Sequence, residues 1–324
     1  MRISVQLPTG VAALFGESAR RRRRLESQIA TRLETADFDE VVLPVVDYLD
    51  PYRDMLSEQS RQELYRFVDR DGEVLSLRAD FTPMLARLLA PRLARLELPL
   101  KLFYRGDVLR YREEHLGERE LYQIGAEVLG VAGEDAEALV LRQFLELLQL
   151  GAPRPLGVVV GLAGALDPLI LEHSHGKPLR LAGALLRRER AVVEAAHPVL
   201  AEVVRHGRPT DPDALGEVGA RRLKRLIGLV ETLDNDFPDI DLYIDLAEFA
   251  DQATSPELRA AVGPRAYYDG LVFRAHGGDA AWHLGGGGRY DNLFRHLGAE
   301  NGTVTPVTAA GFSFDVDRLA GGMS

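Results

Sequence analysis

One predicted β-hairpin carries polar side chains suited to holding a small ligand. Its second strand covers 120–130, and alternate residues of a strand share a face, so Gln123, Gly125 and Glu127 lie together. The opposite face is apolar and belongs to the core. An amide and a carboxylate thus flank a glycine, whose missing side chain leaves a hollow on the sheet where a ligand could lie. A solvated sheet face explains the same pattern equally well, so this strand leaves both interpretations open.

Two residues outside that strand could supply opposite charges to an amino-acid ligand. Arg110 ends the first strand of the hairpin, and Asp80 comes two residues before Thr82 at a strand-to-helix junction. A carboxylate can bind the ammonium group of an amino acid, and an arginine can bind its carboxylate. The simpler interpretation of the junction is that Thr82 caps the helix. A binding role requires a fold that brings Asp80 and Arg110 together.

Several common catalytic and metal-binding patterns are absent from the sequence. Four consecutive glycines, 285–288, are followed by no Gly-Lys-Ser/Thr and lack the spacing of a dinucleotide fingerprint. The eight histidines show no metal-binding spacing. Because cysteine is absent, the chain has no thiol nucleophile and no cysteine-based zinc site. We therefore predict neither a metal ion nor a cofactor.

Composition indicates a folded protein that binds no nucleic acid. The 324 residues are 46% hydrophobic, which is enough for a large core, and the formal net charge is -10. An acidic surface repels phosphate backbones, and the one basic run, 20–24, fits a solvated helix face better than a nucleic-acid contact. The sequence shows neither an N-terminal signal core nor an apolar stretch that could span a bilayer. We predict a cytoplasmic protein without a membrane segment.

The elements that must position these residues follow an irregular order. In chain order we predict a helix at 17–36, strands at 38–49, a hairpin at 64–80, a helix at 82–94, strands at 98–111 and 120–130, a helix at 134–151, a strand at 155–164, helices at about 165–235, and strands with a short terminal helix at 239–319. This order is not the regular strand–helix alternation of a doubly wound parallel sheet. The helical stretch is the best candidate for an inserted subdomain.

Five segments resemble, in the same order, the motifs of class II aminoacyl-tRNA synthetases and of histidyl-tRNA synthetase in particular. They are LRADFTP (like LRPEGT), FYRGDVLRYREEHLGERELYQIGAE (like motif 2, from FRxE to FHQLGCE), YYDGLVF (like DYYxxTVFE), GGGGRYDNL (like GGRYDGL) and AAGFSFDVDRL (like motif 3, GFxxGxERL). Order and approximate spacing agree across nearly all of the chain. The resemblance implies an α/β (α+β) fold over 1–324, with a mixed, mainly antiparallel sheet flanked by helices.

Carried over position by position, the resemblance implies a pocket for free histidine. Its residues would be Asp80, Thr82, Arg110, Gln123, Glu127, Tyr267 and Tyr268. Asp80, in place of the family's glutamate, would bind the ammonium group, Arg110 the carboxylate and Glu127 the imidazole. Tyr267 and Tyr268 would form a wall, although neighbours on a strand cannot both face the ligand squarely.

Departures from the synthetase motifs argue against amino-acid activation. The arginine before the double tyrosine corresponds to Gly263, although a shifted register would bring Arg265 there. The glutamate of FRxE, which contacts adenine in the synthetases, corresponds to Arg112. The motif 3 arginine is retained as Arg318, so a vestigial nucleotide site stays open. The chain stops a few residues after motif 3, and we expect no anticodon-binding domain.

The chain resembles the regulatory subunits of ATP phosphoribosyltransferase in its length, in its LRADxTP variant and in ending after motif 3. That resemblance implies a non-catalytic protein of histidine biosynthesis that binds histidine. It would activate and feedback-regulate the short catalytic subunit within a hetero-oligomer. By family analogy it would also form a homodimer through 17–49.

Two other hypotheses stay open at this point. A truncated synthetase-like ligase would activate histidine or another amino acid with ATP, and the retained Arg110 and Arg318 favour it. Amino-acid-dependent exchange of pyrophosphate into ATP would identify such an enzyme. A scaffold or stress-sensing module with a degenerate pocket would keep its histidine affinity after Asp80→Ala or Glu127→Ala.

Overall fold

A large mixed sheet forms the centre of the molecule, and a smaller sheet accompanies it. In the computed structural model the described residues are 7–55, 62–111, 118–262, 268–279, 281–300 and 306–321. Within them, the strands are β1 (Asp39–Glu40), β2 (Val46–Tyr48), β3 (Arg66–Val68), β4 (Val74–Leu77), β5 (Leu100–Leu109), β6 (Glu120–Leu129), β7 (Leu156–Leu162), β8 (Asp241–Ile244), β9 (Leu271–Gly277), β10 (Trp282–Arg289) and β11 (Ala309–Asp315). The helices are α1 (Gly16–Thr35), α2 (Thr82–Leu89), α3 (Gly133–Leu148), α4 (Asp167–His173), α5 (Pro178–Leu186), α6 (Arg190–Ala196), α7 (Pro198–His206), α8 (Gly216–Asp236), α9 (Pro256–Val262), α10 (Asp291–Glu300) and α11 (Val316–Leu319).

The pairing of the strands confirms the predicted sheet. The eight strands of the large sheet are ordered β1-β5-β6-β11-β10-β9-β7-β8. Strand β1 pairs with β5 and β7 pairs with β8 in parallel, whereas the other neighbours pair antiparallel. The small sheet has the order β2-β4-β3 and is antiparallel. The result is a mixed, mainly antiparallel sheet with helices against it.

One face of the large sheet packs against α1 and α3. Ile124, Ala126 and Val128 of β6 are fully buried on this side, as the alternation of the strand predicts. The ring of Phe144 in α3 stacks on Phe314 of β11 with 4.6 Å between ring centroids. Buried residues of α1, α3 and six strands, β5, β6, β7, β9, β10 and β11, belong to the same apolar cluster, which is the main core.

The opposite face of the large sheet is rich in glycine. Cross-strand pairing places seven glycines on it, namely Gly106, Gly125, Gly157, Gly161, Gly286, Gly288 and Gly311. Helix α2 packs over the β5 side of this face through an apolar cluster that includes Tyr104. Because glycine has no side chain, the backbone of this face can be approached closely by other groups.

Helices α4 to α8 follow one another between β7 and β8, in the stretch for which the sequence predicts a helical insertion. Leu223 and Leu226 of α8 are buried in the main core, so this helix packs against the sheet. Among the described residues, none of the helices combines the length and the apolar character that a membrane crossing requires.

Candidate functional site

Glu127 lies at the centre of a hydrogen-bond network on the glycine-rich face. The residue is 1% exposed. Its Oε1 accepts a hydrogen bond from Thr82 Oγ1 at 2.6 Å and a longer one from the Tyr104 hydroxyl at 3.3 Å. Its Oε2 accepts a hydrogen bond from the Tyr290 hydroxyl. Burial raises the pKa of Glu127 to about 7, against the opposing effect of the Thr82 and Tyr290 hydrogen bonds. The carboxyl group therefore gains or loses its proton near neutral pH.

Two glycines make room for this network. Gly311 lies directly opposite Glu127 in the pairing of β11 with β6, and a Cβ at Gly311 would overlap the Glu127 carboxylate. A Cβ at Gly125 would lie 2.5 Å from the Tyr104 hydroxyl oxygen. The space that the sequence predicts above Gly125 is thus filled by Tyr104. The glycine accommodates a side chain of the protein at that point.

Asp80 and Arg110 form a pair of opposite charges, as the amino-acid hypothesis requires. Arg110 Nη2 lies 3.8 Å from Asp80 Oδ2, and both side chains keep partial exposure, 27% and 49% respectively. Arg110 Nε donates to the backbone oxygen of Ala79 at 2.9 Å, which fixes the guanidinium beside Asp80. An amino acid carries its ammonium and carboxylate groups on one carbon, so adjacent charges of opposite sign match it.

Thr82 connects the two parts of the site. It begins α2 and does not cap the helix, because its hydroxyl donates to Glu127. Its backbone N–H donates to Asp80 Oδ1 at 3.1 Å. The prediction of a simple helix cap is therefore wrong for Thr82, whose side chain is committed to the buried network.

The structure places the remaining predicted residues as follows. Gln123 is half-buried on the same face of β6 as Glu127 and pairs in register with Gly106. The half-buried Tyr268 lies over Gly288, where a Cβ would come 2.8 Å from its ring. Tyr267 lies outside the described residues. The same is true of Gly263, Arg265 and Arg112.

Two tyrosines of this site were not predicted from the sequence. Tyr104 is buried, stacks on Phe81 with 4.3 Å between ring centroids, and pairs with Gly125 across the hairpin. Counting the register of the hairpin would have found it. Tyr290 lies within the GGGGRYDNL segment, and its ring is 6.4 Å from that of Tyr268. The resemblance of that segment to a histidine-specific motif was the available signal.

Arg318 is held by two carboxylates. Its Nη2 lies 2.7 Å from Glu118 Oε2, and its Nε lies 3.1 Å from Asp315 Oδ2. Asp315 occupies the position of the second glycine in the motif 3 pattern GFxxGxERL, which is a further departure from the synthetase motifs. Burial raises the pKa of Asp315 to about 6. The positive charge of Arg318 is thus compensated within the protein.

A cavity of about 270 Å³ opens beside these carboxylates. Its charged lining residues are Arg22, Arg23, Asp107, Glu118, Glu120, Asp315 and Asp317. Acidic groups outnumber basic ones there, so the cavity disfavours phosphate groups. Among the residues that the structure describes, no cluster of histidine and carboxylate side chains is arranged to hold a metal ion.

Sequence relatives identify the family of the chain. Residues 10–319 match the family described as histidyl-tRNA synthetase. An ATP phosphoribosyltransferase regulatory subunit from Symbiobacterium thermophilum is 31% identical over 335 residues, which cover 97% of this chain and 79% of the relative. The chain belongs to the family of ATP phosphoribosyltransferase regulatory subunits. The resemblance on which the sequence analysis depends is thereby confirmed.

Solved structures related to this family share the fold of the chain. A Bacillus halodurans protein described as an ATP phosphoribosyltransferase regulatory subunit/histidyl-tRNA synthetase has a TM-score of 0.78 at 22% identity, covering 99% of this chain and 83% of that chain. A chain of the ATP phosphoribosyl transferase (HisG:HisZ) complex from Thermotoga maritima has a TM-score of 0.65 at 18% identity, covering 91% of this chain and 97% of that chain. These likenesses confirm the class II synthetase fold.

Proposed function

We propose that this chain is a non-catalytic, histidine-binding regulatory subunit of ATP phosphoribosyltransferase that acts in the cytoplasm. The family supports the regulatory role. The observation that carries histidine binding is the Asp80–Arg110 pair beside the buried Glu127, with Thr82 hydrogen-bonded to both acids. The pair of opposite charges suits the ammonium and carboxylate groups of an amino acid. A polar network around a carboxyl group whose pKa is about 7 suits an imidazole side chain.

The proposed position of the ligand follows from this geometry. The α-carboxylate binds Arg110 and the α-ammonium binds Asp80, which places the side chain along the glycine-rich face toward Glu127. Both oxygens of Glu127 already accept hydroxyl hydrogen bonds, so Glu127 acts on the imidazole through the hydroxyl groups of Thr82 and Tyr290 that it holds. Gln123, Tyr267 and Tyr268 complete the proposed pocket.

The ligase alternative finds less support in the geometry. An ATP-dependent activation needs cationic groups free to stabilise the charge that develops on phosphate. The guanidinium of Arg318 is engaged by Glu118 and Asp315, and the cavity beside it is lined mainly by acids. A carboxylate repels a nearby phosphate group and so opposes the binding of ATP. The acidic lining therefore favours a protein that does not activate amino acids.

A partner and a dimer belong to the same proposal. The Thermotoga maritima structure is described as a HisG:HisZ complex, and we propose the short catalytic subunit as the partner of this chain. The small sheet exposes an apolar face on which Tyr48 and Phe67 lie on either side of Leu75. Tyr48 is 52% exposed and Phe67 is 41% exposed. We propose that α1 and this face of the small sheet form the homodimer surface; α1 (apart from Gly16) and β2 lie within 17–49, and β3 and β4 lie next to them in the small sheet. We also propose that α4 to α8 form a helical insertion in a single class II-type domain.

Calorimetric titration of the purified chain tests the histidine-binding proposal. We expect histidine to bind, ATP not to bind, and Asp80→Asn to weaken histidine at least tenfold, which corresponds to about 1.4 kcal/mol. Asp71→Asn, in the exposed turn between β3 and β4, is the matched control and should bind like the native chain. Native-like affinity of Asp80→Asn would contradict the proposed pocket.

Association with the catalytic subunit is tested separately. The chain and the short catalytic subunit are co-expressed, with an affinity tag on one of them, and phosphoribosyl transfer is assayed with and without histidine. We expect co-purification, a higher rate in the complex than in the catalytic subunit alone, and inhibition by histidine. The coupling between histidine and the partner must be reciprocal, so the partner should also change histidine affinity. Failure to co-purify would contradict the proposed partner.

A further inference from the structure

A cluster of charged side chains lies behind the tyrosines of the candidate site. Its centre is Arg289, the last residue of β10, whose side chain is 24% exposed. Three carboxylates approach the guanidinium. Glu137 Oε1 lies 3.1 Å from Nη1, Asp291 Oδ2 lies 3.3 Å from Nε, and Asp269 Oδ1 lies 3.6 Å from Nε. One arginine therefore joins α3 to two segments of chain that are separate in the sequence.

Asp269 directly follows Tyr268, and its side chain binds the backbone that follows Tyr290. Its carboxylate accepts hydrogen bonds from the N–H groups of Asp291 at 3.3 Å and Asn292 at 2.8 Å. These are the first residues of α10, whose free N–H groups favour a carboxylate. The side chain next to Tyr268 thus fixes the start of α10.

Asp291 directly follows Tyr290 and binds the neighbouring strand. Its Oδ1 accepts a hydrogen bond from the backbone N–H of Ala309 at 2.8 Å. The N–H of Tyr290 in turn donates to the backbone oxygen of Ala309 at 2.8 Å. Asp291 and Tyr290 are therefore held as a unit on β11, and the Tyr290 hydroxyl reaches Glu127 from there.

Two glycines outside the glycine-rich face leave room for the cluster. A Cβ at Gly270 would overlap Glu137 Oε1 and come 2.9 Å from Arg289 Nε. A Cβ at Gly133 would lie 2.8 Å from Arg289 Nη1. The guanidinium passes close to two stretches of backbone, and any larger residue at either position would displace it.

Arg289 is the cation that pairs directly with the three carboxylates of the cluster. Burial raises the pKa of Glu137 and of Asp291, which shows that the surroundings disfavour their negative charge. Removing the arginine would leave these carboxylates in a poorly solvated place without their direct partner, and the loss of one partner from a buried ion pair is destabilising. Arg222 and Arg295 also act electrostatically on Glu137 and Asp291, but neither joins the two tyrosine-bearing segments through Asp269 and Asp291 as Arg289 does. Repulsion between Asp269 and Asp291 would then act on the segments that carry the two tyrosines.

We infer that Arg289 is a positioning residue of the histidine pocket, which it shapes without touching the ligand. By holding Asp269 and Asp291 together, it sets the separation of Tyr268 and Tyr290 and the direction of the Tyr290 hydroxyl toward Glu127. This inference rests on the proposed function of the site, and it assigns a role to a residue that lies outside the pocket.

A double-mutant cycle between Arg289 and Tyr290 tests the inference. Histidine affinity is measured by calorimetry for the native chain, Arg289→Gln, Tyr290→Phe and the double variant. We expect Arg289→Gln to weaken histidine about tenfold in the native background, within the range for residues of one network, and about threefold or less when Tyr290 is Phe. If Arg289 served stability alone, its replacement would lower the melting temperature and would weaken histidine binding equally in both backgrounds. Equal losses would therefore overturn the inference.

Further variants keep the test decisive if Arg289→Gln does not fold. Asp291→Asn is nearly isosteric, removes one carboxylate of the cluster, and enters the same cycle with Tyr290→Phe. Arg142→Gln is the control, because Arg142 lies on α3 like Glu137 but forms an exposed ion pair with Asp236 at 2.6 Å. We expect it to bind histidine like the native chain. A native chain that binds no histidine would refute the proposed function itself, whereas equal losses in a binding protein refute only the role of Arg289.

Discussion

Replacing Glu127 with glutamine should change how the stability of this protein depends on pH. The carboxyl group is 1% exposed, and burial raises its pKa to about 7 from the ordinary value of 4.5. The folded protein therefore holds a proton between these two pH values that the unfolded chain releases. Stability falls with rising pH wherever the folded state binds more protons. The native chain should lose stability progressively from pH 4.5 to above pH 7, and glutamine, which does not titrate, should abolish this loss.

The size of the effect follows from the separation of the two pKa values. A difference of one pKa unit corresponds to 1.36 kcal/mol, so the raised pKa of Glu127 corresponds to about 3 kcal/mol between pH 4.5 and pH 8. The free energy of unfolding of Glu127→Gln, compared with that of the native chain, should rise by about this amount over the same interval. Urea unfolding at a series of pH values, followed by circular dichroism, measures it for both proteins.

The comparison has a matched control and a clear contrary result. Glu34→Gln, on the exposed side of α1, controls for the exchange of a carboxylate for an amide. The absolute stability of Glu127→Gln includes the cost of presenting an amide to three hydroxyl groups, which is why only the change with pH is decisive. If the difference between Glu127→Gln and the native chain stays constant within about 1 kcal/mol from pH 4.5 to pH 8, Glu127 does not titrate as the structure requires.

Three further predictions concern other parts of the molecule. Gly311→Ala should destabilise the protein by about 1–3 kcal/mol in thermal unfolding, because a Cβ there overlaps Glu127, and an unchanged melting temperature would contradict this packing. Asp315→Gly should free one side of Arg318 and give detectable ATP binding in a calorimetric titration, in contrast to the native chain, whereas no detectable ATP binding by the variant would show that this carboxylate is not what excludes nucleotide. Tyr48→Asp, on the exposed face of the small sheet, should convert a dimer to a monomer in light scattering, and a persistent dimer would place the interface elsewhere.

Local periodicity accounts for the part of the site that the sequence predicted. The alternation along β6 places Gln123 and Glu127 on one face and Ile124 on the core face, and the structure has this arrangement. The roles of the predicted residues in ligand binding stay predictions. The alternation of a single strand could not show that Tyr104 fills the space above Gly125, because that depends on the register of the neighbouring strand.

Contacts between residues that are far apart in the sequence could not be predicted from the sequence. Glu118 and Arg318 are 200 residues apart in the sequence, and their ion pair depends on how β6 and β11 align. The cluster around Arg289 likewise joins α3 to two later segments. No property of these residues taken singly distinguishes them from solvated surface charges, which are the more common case.

The amino-acid sequence by itself determined the class of fold, the core face of β6 and the family, because these depend on short-range periodicity and on the order of motifs. The tertiary structure decided which side chains meet: it set Asp80 beside Arg110, enclosed Glu127 among three hydroxyl groups and compensated Arg318 with two acids. The physical reason is that hydrogen bonds and ion pairs act over a few ångströms in space. Separation along the chain does not fix separation in space until the strands have paired.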